Sequence, residues 1–355
     1  MTAMYSLLHM LVDGVCALAM FGHFFIEENG HFSMLLYNFC AFALQMPLGT
    51  WLDLLVLQNT YKKEQLAFVF AVSGVVLTIV GAFLHPVVLG IGNALFHIGG
   101  GVGTIQEDTE KSWQGRGLGV FVAPGAFGLY IGTVIGKGSY RLAGMVVAVA
   151  VLLIVVVGTV LLLKTQKRSF LRKWHEKDAA EMRSGKGKIG QVLLLATCCF
   201  LVVVLRSYIG MAVAFPWKQV PVLGCISVLA VVAGKVAGGF IAAGFGYAKT
   251  AIITLFLASI GYIGLDWAPL GLVALFFFNM TMPMTLYLLI RTLKQLPGFS
   301  FGLLTFGLFL GFLPAYFAWE LPWKGQVLGP IGCVVSMILL LIGIRMGGGR
   351  QHVSD

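Results

Sequence analysis

The chain has 355 residues, of which 59% are apolar and only 11% are Asp, Glu, Lys or Arg, and its formal charge is +10. A soluble domain carries about 25% charged residues, so a water-covered globule is excluded and a lipid bilayer is the solvent that fits. The basic residues sit in short gaps between apolar runs and form no groove-lining stripe, which excludes a nucleic-acid-binding surface.

Twelve apolar runs follow one another: 5–26, 32–52, 66–84, 87–105, 117–136, 141–163, 189–213, 219–243, 249–265, 268–290, 299–318 and 325–344. Each is predicted to cross the membrane as a helix, for which roughly 17 to 25 residues are needed. The first has no upstream basic segment and no A-x-A site, so it is expected to be a true span rather than a removed signal peptide. It carries His9 and Asp13, which the i, i+4 spacing stacks on one face. A carboxylate at that depth must meet a cavity or a partner, and it can take up and release a proton. The second run ends in Gly49-Thr50-Trp51-Leu52-Asp53. The fourth places Asn93 and His97 on one face and closes with Gly99, Gly100, Gly101 and Gly103. The fifth opens with Gly115, Gly117 and Gly119 and is expected to bend at Ala123-Pro124-Gly125.

The polar stretch 164–188 divides six runs from six, so the expected organisation is a first bundle over 1–163, a linker over 164–188 and a second bundle over 189–355. In the second bundle Arg206 lies in the outer half of the seventh run and Lys235 near the middle of the eighth. Two cations at membrane depth suit an anionic ligand, and the guanidinium offers a fork that matches carboxylate or phosphonate. Gly234, Gly238 and Gly239 give the eighth run small-xxx-small spacing, which allows close helix approach. Asn279 follows Asn93 by 186 residues at a similar depth in the tenth run. Trp51, Trp217, Trp267, Trp319 and Trp323 fall near run ends, as an interfacial belt would.

With both termini in the cytoplasm, eighteen of the 24 Lys and Arg residues fall on the cytoplasmic side, four outside and two, Arg206 and Lys235, within runs. That bias obeys the positive-inside rule, and one missed span would invert everything after it. The six cysteines lie inside apolar runs, without CxxC pairs or Cys/His ligand spacing, so neither a disulfide framework nor a metal site is expected. His175-Glu176 lacks the second His of a zinc-protease motif, and no G-x-S-x-G or paired intramembrane aspartates occur. No enzyme, no catalytic residue and no cofactor are therefore expected.

Gly49 to Asp53, followed by Lys62 and Lys63, resembles the G-x-x-x-D signature of the major facilitator superfamily, and Gly238 to Lys249 resembles its second-half copy. Within that superfamily the fosmidomycin-resistance efflux proteins are the most similar. His9-Met10-Leu11-Val12-Asp13 resembles their first-span H-x-L-x-D, Asn93-Ala94-Leu95-Phe96-His97 their fourth-span segment, and Leu296-Pro297-Gly298 with Gly302 and Gly307 to Phe312 the start of their eleventh span. Departures are Ala242 or Ala243 where an acid stands in the second-half signature, Ile98-Gly99 in place of Pro-Glu after Phe-His, and Lys235 in place of a small neutral residue. The resemblance implies an all-α fold of twelve transmembrane helices in two six-helix bundles, alternating access and proton-driven export.

The expected function is thus proton-coupled export of a small amphipathic organic anion or drug-like compound. Arg206, Lys235, Asn93, His97 and Asn279 are the expected substrate contacts, Asp13 and His9 the proton site, and Gly49, Asp53 and Gly239 the gate. Alternatives are an organic-acid importer or facilitator, and a non-transporting receptor or assembly partner on the same fold. Sugar transport is disfavoured, because few Asn, Gln or Glu residues lie within the runs. A monomer in a bacterial inner membrane is expected, its partners being substrate, protons and lipid.

Overall fold

A computed structural model describes residues 1–58, 63–170, 189–319 and 322–347. Lys62, residues 171–188 of the expected linker (His175-Glu176 included) and the tail 348–355 lie outside the described residues. The described regular structure is helical throughout. We number the helices α1 (Thr2–Phe24), α2 (Gly30–Leu57), α3 (Lys63–Leu84), α4 (Pro86–Glu110), α5 (Arg116–Lys137), α6 (Arg141–Phe170), α7 (Ile189–Ala212), α8 (Pro221–Phe245), α9 (Tyr247–Ile263), α10 (Ala268–Thr292), α11 (Pro297–Tyr316) and α12 (Gly325–Gly347). Eleven are long and apolar enough to cross a membrane; α9, with 17 residues, is apolar but shorter.

Local sequence sets the ends and breaks of these helices. Proline opens α4, α8 and α11 at the first turn, where its missing N–H is not needed. Gly246, at φ 88° and ψ 146°, takes an extended positive-φ conformation open to glycine between α8 and α9. α5 is broken at Ala123, between Arg116–Val122 and Pro124–Lys137, and α10 divides at Met280. A π-helical turn ends α1 at Met20–Phe24, and another interrupts α2 at Phe39–Ala43.

The first six helices pack mainly as α1 on α5, α3 on α4, and α1 on α4 and α6; the last six repeat the scheme as α7 on α11, α9 on α10, and α7 on α10 and α12, and add a contact of α9 with α12. The halves meet through α2 with α11 and α5 with α8. Exchanging the halves, 2 for 8 and 11 for 5, turns the first interface into the second, as a twofold relation between halves requires. α3 and α4 mesh at backbone distance: a methyl group on Gly74, Gly81, Gly92 or Gly99 would strike main-chain atoms of the facing helix. Leu142 and Ile154 of α6 and Ile253, Phe256 and Ile263 of α9 point outward and exposed, which only a lipid surround makes favourable.

Two expectations need adjusting. α4 continues to Glu110, five residues past the expected end, because its terminal acids find partners: Asp108 accepts from Gly115 N (2.8 Å) and Gly117 N (2.8 Å), and Glu107 pairs with Lys111 (2.6 Å). Of the five belt tryptophans, Trp51, Trp267, Trp319 and Trp323 are exposed. Trp217 is instead buried in the loop before α8 and donates its indole N–H to Leu265 O at 2.8 Å.

Candidate functional site

The break in α5 organises the centre of the molecule. Beside Pro124, Ala126 N turns back to Ala123 O (3.3 Å) instead of Val122 O, four residues before it. The consecutive carbonyls of Phe121 and Val122 then accept side chains from opposite halves. His9 Nδ1 of α1 lies 2.7 Å from Phe121 O, and Lys235 Nζ of α8 donates to Val122 O at 3.3 Å.

His9 belongs to a compact polar cluster. Its Nε2 lies 3.1 Å from Asp13 Oδ2 and 2.9 Å from His97 Nε2, and His97 Nε2 lies 3.6 Å from Asp13 Oδ1. Asn93 Nδ2 donates to Asp13 Oδ1 at 3.0 Å and faces Cys16 Sγ at 3.5 Å, while His97 Nδ1 lies 2.9 Å from Asn93 O. His9, Asn93 and His97 are buried, and the Asp13 side chain keeps 18% exposure. The i, i+4 pairs of α1 and α4 are brought face to face by the packing of these helices, and Asp13 makes its contacts here.

The tautomers follow from the partners. A carbonyl only accepts, so both Nδ1 atoms carry their protons. In neutral rings both Nε2 atoms then present lone pairs, to one another and to the Asp13 carboxylate. Two lone pairs and an anion within hydrogen-bonding distance repel unless a cation sits among them.

On the other side, Arg206 is buried in α7 at 8% exposure, and its Nε has no hydrogen-bond partner. Lys235 lies within electrostatic reach of both Arg206 and Asp13. Among the described residues neither cation forms an ion pair. Asn279 is not drawn into either group; its amide donates to Leu275 O of its own helix at 2.8 Å.

The three expected gate residues lie where the halves touch. Asp53 accepts Gly298 N at 3.0 Å and Phe299 N at 2.8 Å, so its carboxylate caps the first turn of α11, where the helix dipole favours an anion. Gly49 faces Gly298 so closely that a Cβ on either would collide with the other's backbone, and Gly239 meets Gly115 O in the same way between α8 and α5. At the opposite end Tyr316 OH donates to His31 O at 3.1 Å, and the Phe39 and Phe309 rings lie 5.7 Å apart. The halves therefore touch at both ends of the α2–α11 seam.

Comparison with solved structures settles the architecture. The E. coli fucose:proton symporter FucP superposes with a TM-score of 0.56 at 14% identity, covering 96% of this chain and 97% of that one. The chain has the major facilitator fold. A bacterial homologue of the iron transporter ferroportin, in its outward-facing state, gives a TM-score of 0.58 at 14% identity, with 97% and 98% of the two chains covered. The human organic anion transporter MFSD10 (TETRAN) gives 0.58 at 12% identity over 96% and 98%. No protein-family model matches the sequence, and neither does any curated protein.

Several participants in the site were not among the expected residues. The carbonyls of Phe121 and Val122 carry no side-chain signal, although the Ala123-Pro124-Gly125 break that frees them does. Gly125 itself lies directly against the cluster: a Cβ there would collide with His9 Nε2 and Asp13 Oδ2. The N–H groups of Gly298 and Phe299, which hold Asp53, are announced only by Pro297 as a helix start.

Proposed function

We propose that the chain is a secondary transporter of a small amphipathic organic anion, coupled to protons and working by alternating access between bundles 1–163 and 189–355. The observation that carries this reading is the buried Arg206, whose Nε has no hydrogen-bond partner, in the same half as Lys235, and neither forms an ion pair among the described residues. An uncompensated buried charge costs several kcal/mol, and a ligand that brings the opposite charge recovers it. The Arg206 Nε is a free donor for a carboxylate or phosphonate oxygen. Asn93 and His97, beside Asp13, are the proposed contacts from the first half; Asn279, whose amide is bonded within its own helix, lies outside the proposed group.

The His9–Asp13–His97 group is the proton site of this reading. A proton among the two Nε2 atoms and the carboxylate removes their mutual repulsion. Its release leaves an anion facing Lys235 and strengthens the attraction between halves. A ligand moves such an equilibrium only through different affinity for the two arrangements, and the cluster, built wholly from α1 and α4, meets Lys235 only when the bundles are close. Asp53, Gly49 and Gly239 form the gate at the end taken as cytoplasmic. Export, as in the fosmidomycin-resistance proteins the sequence resembles, is the proposed direction.

The test is transport of a fluorescent amphipathic carboxylate into inverted vesicles under an imposed pH gradient. Arg206→Ala should abolish uptake at low substrate concentration, and Asp13→Asn should remove its dependence on the gradient. Gradient-driven uptake that survives both substitutions would refute the reading.

A further inference from the structure

We propose that His9, Asp13 and His97 form a binding site for a divalent first-row transition-metal ion, with Zn²⁺ and Co²⁺ the best match. The inference stands on the donor set and its geometry. It does not require the anion reading above, since Arg206 and Lys235 take no part in coordination.

Three observations carry it. The donor atoms are two imidazole nitrogens and a carboxylate oxygen, each with a lone pair free, because both Nδ1–H groups are already given to the carbonyls of Phe121 and Asn93. This mixture suits zinc, cobalt or nickel better than magnesium or calcium, which prefer oxygen alone. The Nδ1–H···O=C bonds are also the outer-sphere contacts that fix ring orientation and raise donor strength in histidine metal sites.

The second observation is spacing. His9 Nε2 lies 2.9 Å from His97 Nε2 and 3.1 Å from Asp13 Oδ2, His97 Nε2 lies 3.6 Å from the other carboxylate oxygen, Oδ1, and one ligand atom from each residue falls within 4.8 Å of the other two. Ligands at the usual 2.0–2.1 Å from zinc stand about 2.9–3.4 Å apart for angles between 90° and the tetrahedral value. His9 Nε2 stands at that spacing from both of the other ligands, so a small shift of His97 toward Asp13 closes the group on an ion.

The third is Gly125. A Cβ there would collide with His9 Nε2 and Asp13 Oδ2, so glycine is what keeps these ligand atoms clear of a side chain. Any other residue at 125 would put a methyl group among the ligand atoms. The remaining coordination positions then fall to water or to an anionic substrate. Binding exchanges whatever proton the Nε2 atoms and carboxylate share for the metal ion, and that proton passes to solvent; the two Nδ1 protons stay where they are.

The experiment is a titration of the purified, tag-free full-length protein in detergent with Co²⁺, followed by visible d–d absorption and then by competition with Zn²⁺. A tetrahedral spectrum that saturates at one ion per chain and is displaced by Zn²⁺ is expected. His97→Gln and Asp13→Asn should each weaken binding by about tenfold or more, Gly125→Ala should abolish it, and Arg206→Ala should leave it intact. Absence of saturable absorption in the wild-type protein would overturn the proposal without any variant being made. Binding that persists unchanged in Asp13→Asn and His97→Gln would overturn it as well, by placing the ion on exposed histidines such as His23 or His85. Loss of anion transport in Arg206→Ala with Co²⁺ binding retained keeps the two readings separate.

Discussion

His9 and Lys235, from opposite halves of the molecule, hold consecutive carbonyls of one broken helix, those of Phe121 and Val122. The break therefore does more than bend α5. It turns two main-chain groups, which a continuous helix would consume, into anchors for a cluster residue and for a central cation.

Pro124→Ala should let α5 close into a regular helix and reclaim these carbonyls. Restoring the missing backbone bond favours the straight helix by about 1–3 kcal/mol. The expected outcome is a protein at least as thermally stable as wild type whose transport falls by about tenfold or more, measured as initial rates in proteoliposomes beside melting curves.

Arg206 tests the opposition between stability and function. Its guanidinium is buried and its Nε unpartnered, so the resting protein carries an uncompensated charge. Arg206→Met should stabilise the ligand-free protein by about 1–3 kcal/mol and should erase any thermal stabilisation by anionic ligands. Melting temperatures with and without a panel of carboxylates and phosphonates check both halves of this expectation.

Asp53 joins the halves through Gly298 N and Phe299 N. Asp53→Asn keeps the shape, removes the charge and should weaken the seam by about 1–2 kcal/mol. A spin-label pair across α2 and α11 at this end should then give a broader and longer distance distribution in double electron–electron resonance. Gly49→Leu, which drives a side chain into the Gly298 backbone, should widen it further.

Lys218 offers a prediction about pH. It lies in the loop between α7 and α8 with its ammonium 4.3 Å from the Phe215 ring, and burial lowers its pKa from 10.5 to about 8. A base whose folded pKa lies below its unfolded value destabilises the fold while protonated. That penalty is complete below pH 8 and disappears as pH rises toward 10.5. Lys218→Met should therefore melt higher than wild type at pH 7, with the gap narrowing between about pH 8 and 10.5. A pH-independent difference would place the effect elsewhere.

The helices were legible because lipid leaves the backbone no alternative: runs such as 66–84 can be neither loop nor strand at that depth. The cluster was legible in halves. Spacing puts His9 with Asp13 and Asn93 with His97 on single faces, but only the packing of α1 on α4 fixes the 2.9 Å meeting of the two imidazoles. Carbonyl partners such as Phe121 O were not legible, since every residue carries the same group and only the local break frees it. Trp217 misled for a related reason. Position near a span end suggests an interface, yet its indole found a carbonyl inside the fold.

The glycine-toothed meeting of α3 and α4 has a mechanical corollary. Backbones in such contact neither slide nor roll, so Asn93 and His97 ride on a stiff plate. His9 and Asp13 ride on α1, which sits across from that plate. Any rearrangement that shifts α1 by a single ångström relative to α4 changes the separation of the two imidazole nitrogens by a comparable amount. The polar group at the centre is thus a gauge of how α1 sits against α4 within the first six helices.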